Sequence, residues 1–178
     1  MIKEASKEGK KTTKDRLIAK CFTRLPFLVK IWARTHQFVT NLDTPWTPMQ
    51  KELRCAKVAL VTTAGIHLRS DPPYEMKDKE GDPTFRQIPS STSVSDLMIT
   101  HDYYDHRDAD RDVGVVFPLE RLRDLEFEGT IGKAAPRHFS FMGHILGRHI
   151  DTLIKLTGPE VAGMLRADGV DAVFLTPA

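Results

Sequence analysis

The sequence predicts an α/β fold, a largely parallel sheet flanked by helices in Rossmann- or flavodoxin-like layers. Two observations carry this. The stretches Ala56–Thr63 and Val170–Thr176 are short, nearly continuous apolar runs rich in β-branched residues, the pattern of strands buried on both faces. Between them lie segments whose apolar residues recur at helical spacing, and strands alternating with helices imply parallel pairing. At 178 residues, with 40% hydrophobic and 28% charged, the chain is long enough for one domain with its own core.

The elements follow in order. Residues 16–40 carry apolar positions at mixed three- and four-residue spacing and predict one or two short helices, broken at Pro26. This gives a basic tail and helical extension over 1–44 and an α/β domain over 45–178, joined through the proline-punctuated Thr44–Pro48. The first strand ends at Ala64-Gly65. Ser70–Ser95 is rich in Pro, Asp, Ser and Gly and reads as one long loop. Leu97–Thr100 is a short strand, and Val113–Phe117 is apolar again. Pro118 suits the first turn of a helix that presents Leu119, Leu122 and Leu125 and ends at Gly129. Ile145–Leu156 is a further helix. Thr157 and Glu160 have capping-box spacing for a separate helix with Val161, Ala162 and Leu165, closed by Gly169 before the last strand.

Charge and composition exclude several classes. Residues 1–20 hold seven basic and three acidic side chains, whereas the remainder is mildly acidic. The tail reads as a solvated terminus, and an acidic body argues against a nucleic-acid binder. No run approaches the roughly 18 apolar residues of a membrane span. Nothing resembles a secretory signal, and two distant cysteines, Cys21 and Cys55, form no disulfide framework. The expectation is a cytoplasmic protein in which both cysteines are structural.

The densest chemistry is His101-Asp102-Tyr103-Tyr104-Asp105-His106, directly after a predicted strand. Ligands of open α/β sheets bind beyond the carboxyl ends of strands. His101 and His106 are therefore candidate acid–base groups, with Asp102 and Asp105 orienting them. The same letters also suit a turn that caps neighbouring backbone groups, or a two-His, one-Asp metal site. Candidate substrate contacts are Thr62, Thr63 and His67 at the first strand's end, with Tyr103. Arg69 or Arg137 would grip a carboxylate with its planar fork. His138 and His144 complete the set, six residues apart and off a common helical face.

These letters resemble a known family. The blocks PWTPMQKEL (45–53), CAKVALVTTAGIHL (55–68), DPTFRQIP (82–89), ITHDYYDHRDADRDVGVVFPLERLRDL (99–125), APRHFSFMGHI (135–145) and GPEVAGMLRADGVDAVFLTPA (158–178) are similar, in order, to the selenoprotein B family of the bacterial glycine, sarcosine, betaine and D-proline reductases. The resemblance implies an oxidoreductase subunit of amino-acid metabolism that reductively cleaves a small amino acid or amine. It implies no cofactor in this chain, a partner subunit whose pyruvoyl group holds the amine as a Schiff base, and a thioredoxin-like dithiol donor of electrons. It also implies a selenocysteine or cysteine nucleophile immediately after an LTPA-like strand end, here Leu175–Ala178. Selenocysteine is encoded by UGA, also a stop, so the expectation is a chain cut just before its redox position. A strand at the end of a sheet invites association, copies of the chain included. Two other readings stand beside this one: a catalytically incomplete homologue acting as a binding or assembly subunit, and a metal-dependent hydrolase built on His101, His106 and neighbouring aspartates.

Overall fold

A computed structural model describes residues 21, 24–35 and 47–178. The basic tail, the start of the predicted helical extension and most of the Thr44–Pro48 connector lie outside the described residues. The chain divides into two compact units. The first comprises residues 1–48 with Asp102–Asp105, and its described helix is α1, Pro26–Thr35. Cys21 and Arg24 are helical, Leu25 is not, and a new helix opens at Pro26, so the break falls where the sequence places it. The ring's fixed φ and missing N–H suit the first turn of the helix that follows.

The second unit comprises Met49–His101 and His106–Ala178. It is an α/β unit with a mixed, mostly parallel sheet. Strand β1, Lys57–Thr62, is central, with Ala59, Leu60 and Thr62 at 0–1% exposure. On one side it pairs in parallel with β7, Ala172–Thr176. On the other it pairs in parallel with β5, Lys133–Ala134, along its first residues and with β6, Arg137–Phe141, along its last. The break between β5 and β6 falls at Ala135-Pro136. Strand β3, Phe85–Pro89, closes that side antiparallel to β6. An antiparallel edge on an otherwise parallel sheet is common in α/β folds.

Strands β3 and β6 are absent from the sequence-based expectation. Phe85–Pro89 lies inside the polar stretch expected to be a loop, and Arg137–Phe141 interleaves polar with aromatic residues. Strand β4, Leu97–Ile99, is where the sequence places a strand. It pairs antiparallel with β2, Ile66–Leu68, in a separate two-stranded ribbon. The polar cluster that follows it is therefore not at the end of a parallel strand.

Helix α2, Arg107–Arg111, precedes α3, Leu119–Phe127, which buries Leu119 and Leu122. Gly129 takes φ +72° there, and Thr130 N–H reaches back to Leu125 O at 2.9 Å, a Schellman end. Helix α4, Arg148–Thr152, passes through a π-helical turn, Leu153–Thr157, into α5, Gly158–Ala167. Thr157 thus caps nothing. The widened turn accommodates Pro159, which has no N–H for an ordinary ladder. On one sheet face α5 packs Val161 and Leu165 onto Ala59, Phe139 and Phe141. On the other, Phe117 meets His138 edge-on at 6.1 Å.

Candidate functional site

From β1 the chain crosses to β5 and β6 on one side, then returns past β1 to β7 on the other. That reversal makes the carboxyl end of β1 a topological switch point, where open α/β sheets hold ligands. Three segments meet there. Thr63 N–H donates to Thr176 O at 3.1 Å, and Ala178 N–H donates to Thr63 Oγ1 at 3.1 Å. Thr62 Oγ1 lies 3.0 Å from Val116 O and 3.1 Å from Thr176 O, with one proton to give between them. Gly65 N–H donates to Phe141 O at 3.0 Å, and Ala64 bridges Met142. A Cβ at Gly143 would stand 2.9 Å from Thr63 O, so the β6 end approaches as closely as backbone can.

The β2–β4 ribbon brings further groups to this edge. Gly65 has φ +68°, and Thr100 N–H donates to its carbonyl at 2.9 Å. A Cβ at Gly65 would lie 2.6 Å from Thr100 O and 3.1 Å from His101 Cβ. His101, 5% exposed, is thus lodged against the turn that ends β1. His67 Nδ1 donates to Leu68 O at 2.7 Å, and its Nε2 lies 2.8 Å from Thr100 Oγ1. Hydroxyl groups and a buried imidazole gathered at a strand end are suited to orienting a small polar substrate and moving a proton.

The structure therefore brings Thr62, Thr63, His67 and His101 to one region. Asp102, Tyr103 and Asp105 belong to the first unit, where Asp102 is buried. His106 precedes α2, with Nδ1 2.8 Å from Asp110 Oδ2. Arg69 stands exposed past the far end of β2, its Nε donating to Ser95 O at 2.9 Å. His144 Nε2 lies 2.9 Å from Lys79 O. His138 is buried on the sheet, and its Nδ1 accepts the Leu60 N–H at 3.0 Å.

Arg137 sits at the amino end of β6. There it clasps Asp168 with Nε–Oδ2 at 2.6 Å and Nη2–Oδ1 at 3.0 Å. The hydrogen bond and charge of Asp168 raise the guanidinium's pKa further. Its fork is occupied by a structural partner that ties β6 to the turn before β7. Arg137→Lys, which keeps charge but loses the bidentate grip, is expected to lower the urea midpoint.

Both cysteines are exposed free thiols. Among the described residues, the one His/Asp/Glu group within metal-ligand distance is Asp78, Glu80 and His149. Arg148 binds both of its carboxylates, Glu80 at 2.8 Å, so a guanidinium already supplies the positive charge. That group does not involve His101 or His106.

Sequence reasoning missed Thr100, Ser140 and Tyr74. Ser140 Oγ accepts the Ile66 N–H at 2.9 Å, and Ser140 O accepts the Tyr74 hydroxyl at 2.6 Å. Burial pushes the Tyr74 phenol well above its ordinary range, and Arg86 lies over its ring at 4.4 Å. The available signal was the alternation Arg137-His-Phe-Ser-Phe, which puts His138 and Ser140 on one face of a strand.

This arrangement defines an α/β domain with hydroxyls and an imidazole gathered at the carboxyl end of a central parallel strand. The chain belongs to the glycine/sarcosine/betaine reductase selenoprotein B family, whose sequence model matches residues 33–178. It is 43% identical over 131 residues to the D-proline reductase subunit gamma of Acetoanaerobium sticklandii, covering 74% of this chain and 52% of that one. It is 31% identical over 181 residues to the glycine reductase complex component B subunit gamma of Carboxydothermus hydrogenoformans, covering 97% and 38%. A third relative, the sarcosine reductase complex component B subunit beta of Peptoclostridium acidaminophilum, is 33% identical over 141 residues, covering 74% and 30%. The chain thus spans about half, or less, of the length of these relatives. No solved structure matches it. No helix among the described residues is long and apolar enough to cross a membrane.

Proposed function

We propose that this chain forms the amino-terminal part of a reductase B-component subunit that reductively cleaves a small amino acid or amine in the cytoplasm. The observation that carries the reading is the junction of β1 with β7 in a chain of this family: Ala178 N–H is held by Thr63 Oγ1 at the carboxyl edge. A selenol or thiol on a segment continuing β7 would stand beside Thr62, Thr63 and the turn that lodges His101. In such a site Thr63 and Thr62 fix the nucleophile-bearing loop and His101 manages a proton. For substrates with a free N–H, a pyruvoyl-bearing partner subunit supplies the carbonyl that activates the amine, the quaternary nitrogen of betaine being a leaving group already. A thioredoxin-like dithiol supplies electrons. The doubly wound, flavodoxin-like reading of the layers belongs to the same proposal. Its support is α5 on one sheet face and Phe117 against the other.

The test begins with the reading frame after the Ala178 codon. The expected result is a selenocysteine or cysteine codon followed by further α/β sequence. The encoded full-length subunit, assembled with its partner components, should cleave glycine, sarcosine, betaine or D-proline with dithiol. His101→Ala should cut that turnover at least about a hundredfold, the lower range for a lost acid–base group. A frame without either codon, or no turnover of all four substrates, would overturn the reading.

A further inference from the structure

Strand β7 is the anomaly of the second unit. It pairs with β1 along five residues, from Val58 opposite Ala172 to Thr62 opposite Thr176, and no strand among the described residues lines its other edge. Register places Phe174 on the sheet face of Leu60, and Val173 and Leu175 on that of Ala59 and Val61. Phe174 is 56% exposed, Val173 39% and Leu175 69%, whereas their β1 partners Leu60 and Ala59 are fully buried. Parallel strands of α/β sheets are covered on both faces, and a bare apolar edge is a template for pairing.

A single helix laid on the sheet would cover Phe174 or the Val173–Leu175 face, but not both, and would leave the edge amides unpaired. Covering both faces and pairing the edge amides together requires that the sheet continue: a strand on the free edge, with its helices on either face. The family offers the material. Relatives carry about as much chain again outside the matched stretch, this chain reaching only 52% of the A. sticklandii subunit's length.

We infer that the free edge and both faces of β7 are the docking surface for the remaining portion of the family's subunit, which adds a parallel strand beside Ala172–Thr176. Parallel pairing follows from the neighbours, since β1, β5, β6 and β7 all run one way and crossover helices preserve that direction. The added strand's carboxyl end would then stand beside Thr176 and Ala178. This inference rests on family membership and not on the reductase chemistry.

Amide hydrogen exchange tests it without reading turnover. The intact D-proline reductase subunit gamma of A. sticklandii is compared with the 178-residue protein at the segment aligned with Ala172–Thr176. The expected result is exchange about 100-fold slower in the intact subunit, the signature of a strand moved from edge to interior. In a co-expression arm, the tagged 178-residue chain should retain the remaining portion of that subunit in one-to-one ratio, and Leu175→Lys should cut retention at least about tenfold. Equal exchange in the two proteins would overturn the inference. Slow exchange in the 178-residue protein alone would also overturn it. If dilution then releases the protection, a second copy covers β7; if removal of residues 1–48 releases it, the chain's own amino-terminal unit does.

Discussion

Replacing Gly65 by alanine is expected to destabilise the second unit by about 2–4 kcal/mol, combining a left-handed backbone penalty with a steric one. The residue holds φ +68°, and an added Cβ would stand 2.6 Å from the Thr100 carbonyl oxygen. Thr100 cannot yield freely, because its own N–H donates to Gly65 O at 2.9 Å. A control separates the two contributions. Gly129 has φ +72° with nothing within 4 Å of a new Cβ. Gly129→Ala should therefore show the backbone penalty alone, about 1 kcal/mol. In urea the Gly65 variant should unfold about 1–2 M earlier than wild type, at an m-value near 2 kcal/mol/M. Equal midpoints for the two variants would mean that the Gly65–Thr100 contact relaxes at no cost. The same contact carries His101, so Gly65→Ala should also displace that imidazole, visible as a shifted ring resonance even in refolded protein.

The strong local signals were legible in the sequence, and the pairing was not. Ala56–Thr63 announced itself as a strand because burial on both faces leaves no polar alternation. Val170–Thr176 carries the same pattern and is a strand, but β7 is not the buried one expected, with Val173, Phe174 and Leu175 exposed. Gly129 and Gly169 marked helix ends because each takes the left-handed residue of a C-cap, at φ +72° and +69°. By contrast, β3 and β6 are made by partners distant in sequence. Phe85 pairs with Phe141 and Ile88 with His138 across some fifty residues, so the pairing leaves no local record, and the five-residue alternation of β6 alone is too short to announce it. The sequence also joined His101 to a parallel strand's end by the wrong route. Strand β4 is half of an antiparallel ribbon, and His101 reaches the carboxyl edge only because Gly65 lets Thr100 approach. Arg137 showed the reverse case. Its chemistry suited a carboxylate, and it found one, but that carboxylate is Asp168 at the opposite end of the strand.

His138 should make the protein lose stability as pH falls, and by an amount that one substitution isolates. Burial, with the positive charge of Arg123 adding to it, pulls the imidazole from 6.5 down to about 4. The neutral ring accepts the Leu60 N–H at Nδ1, which fixes its proton on Nε2. That atom has no hydrogen-bond partner among the described residues, and the ring stands edge-on to Phe117. A second proton has no place there. Below pH 6.5 the unfolded chain takes up a proton that the folded chain refuses until about pH 4. The stabilisation is therefore complete above 6.5 and is lost as pH falls toward 4. Between pH 7.5 and 4.5 linkage gives a loss of about 2–3 kcal/mol from this group. His138→Asn retains an acceptor for Leu60 N–H and cannot titrate. Its lower baseline stability should fall less steeply, so the wild-type advantage narrows by about that amount, while the carboxylates contribute equally to both and cancel. Parallel profiles for the two proteins would show that His138 protonates in the folded state. The contrast bears on the proposed chemistry as well. A histidine held neutral across this range frames the sheet, which leaves His101 as the candidate for the proton work proposed at the carboxyl edge.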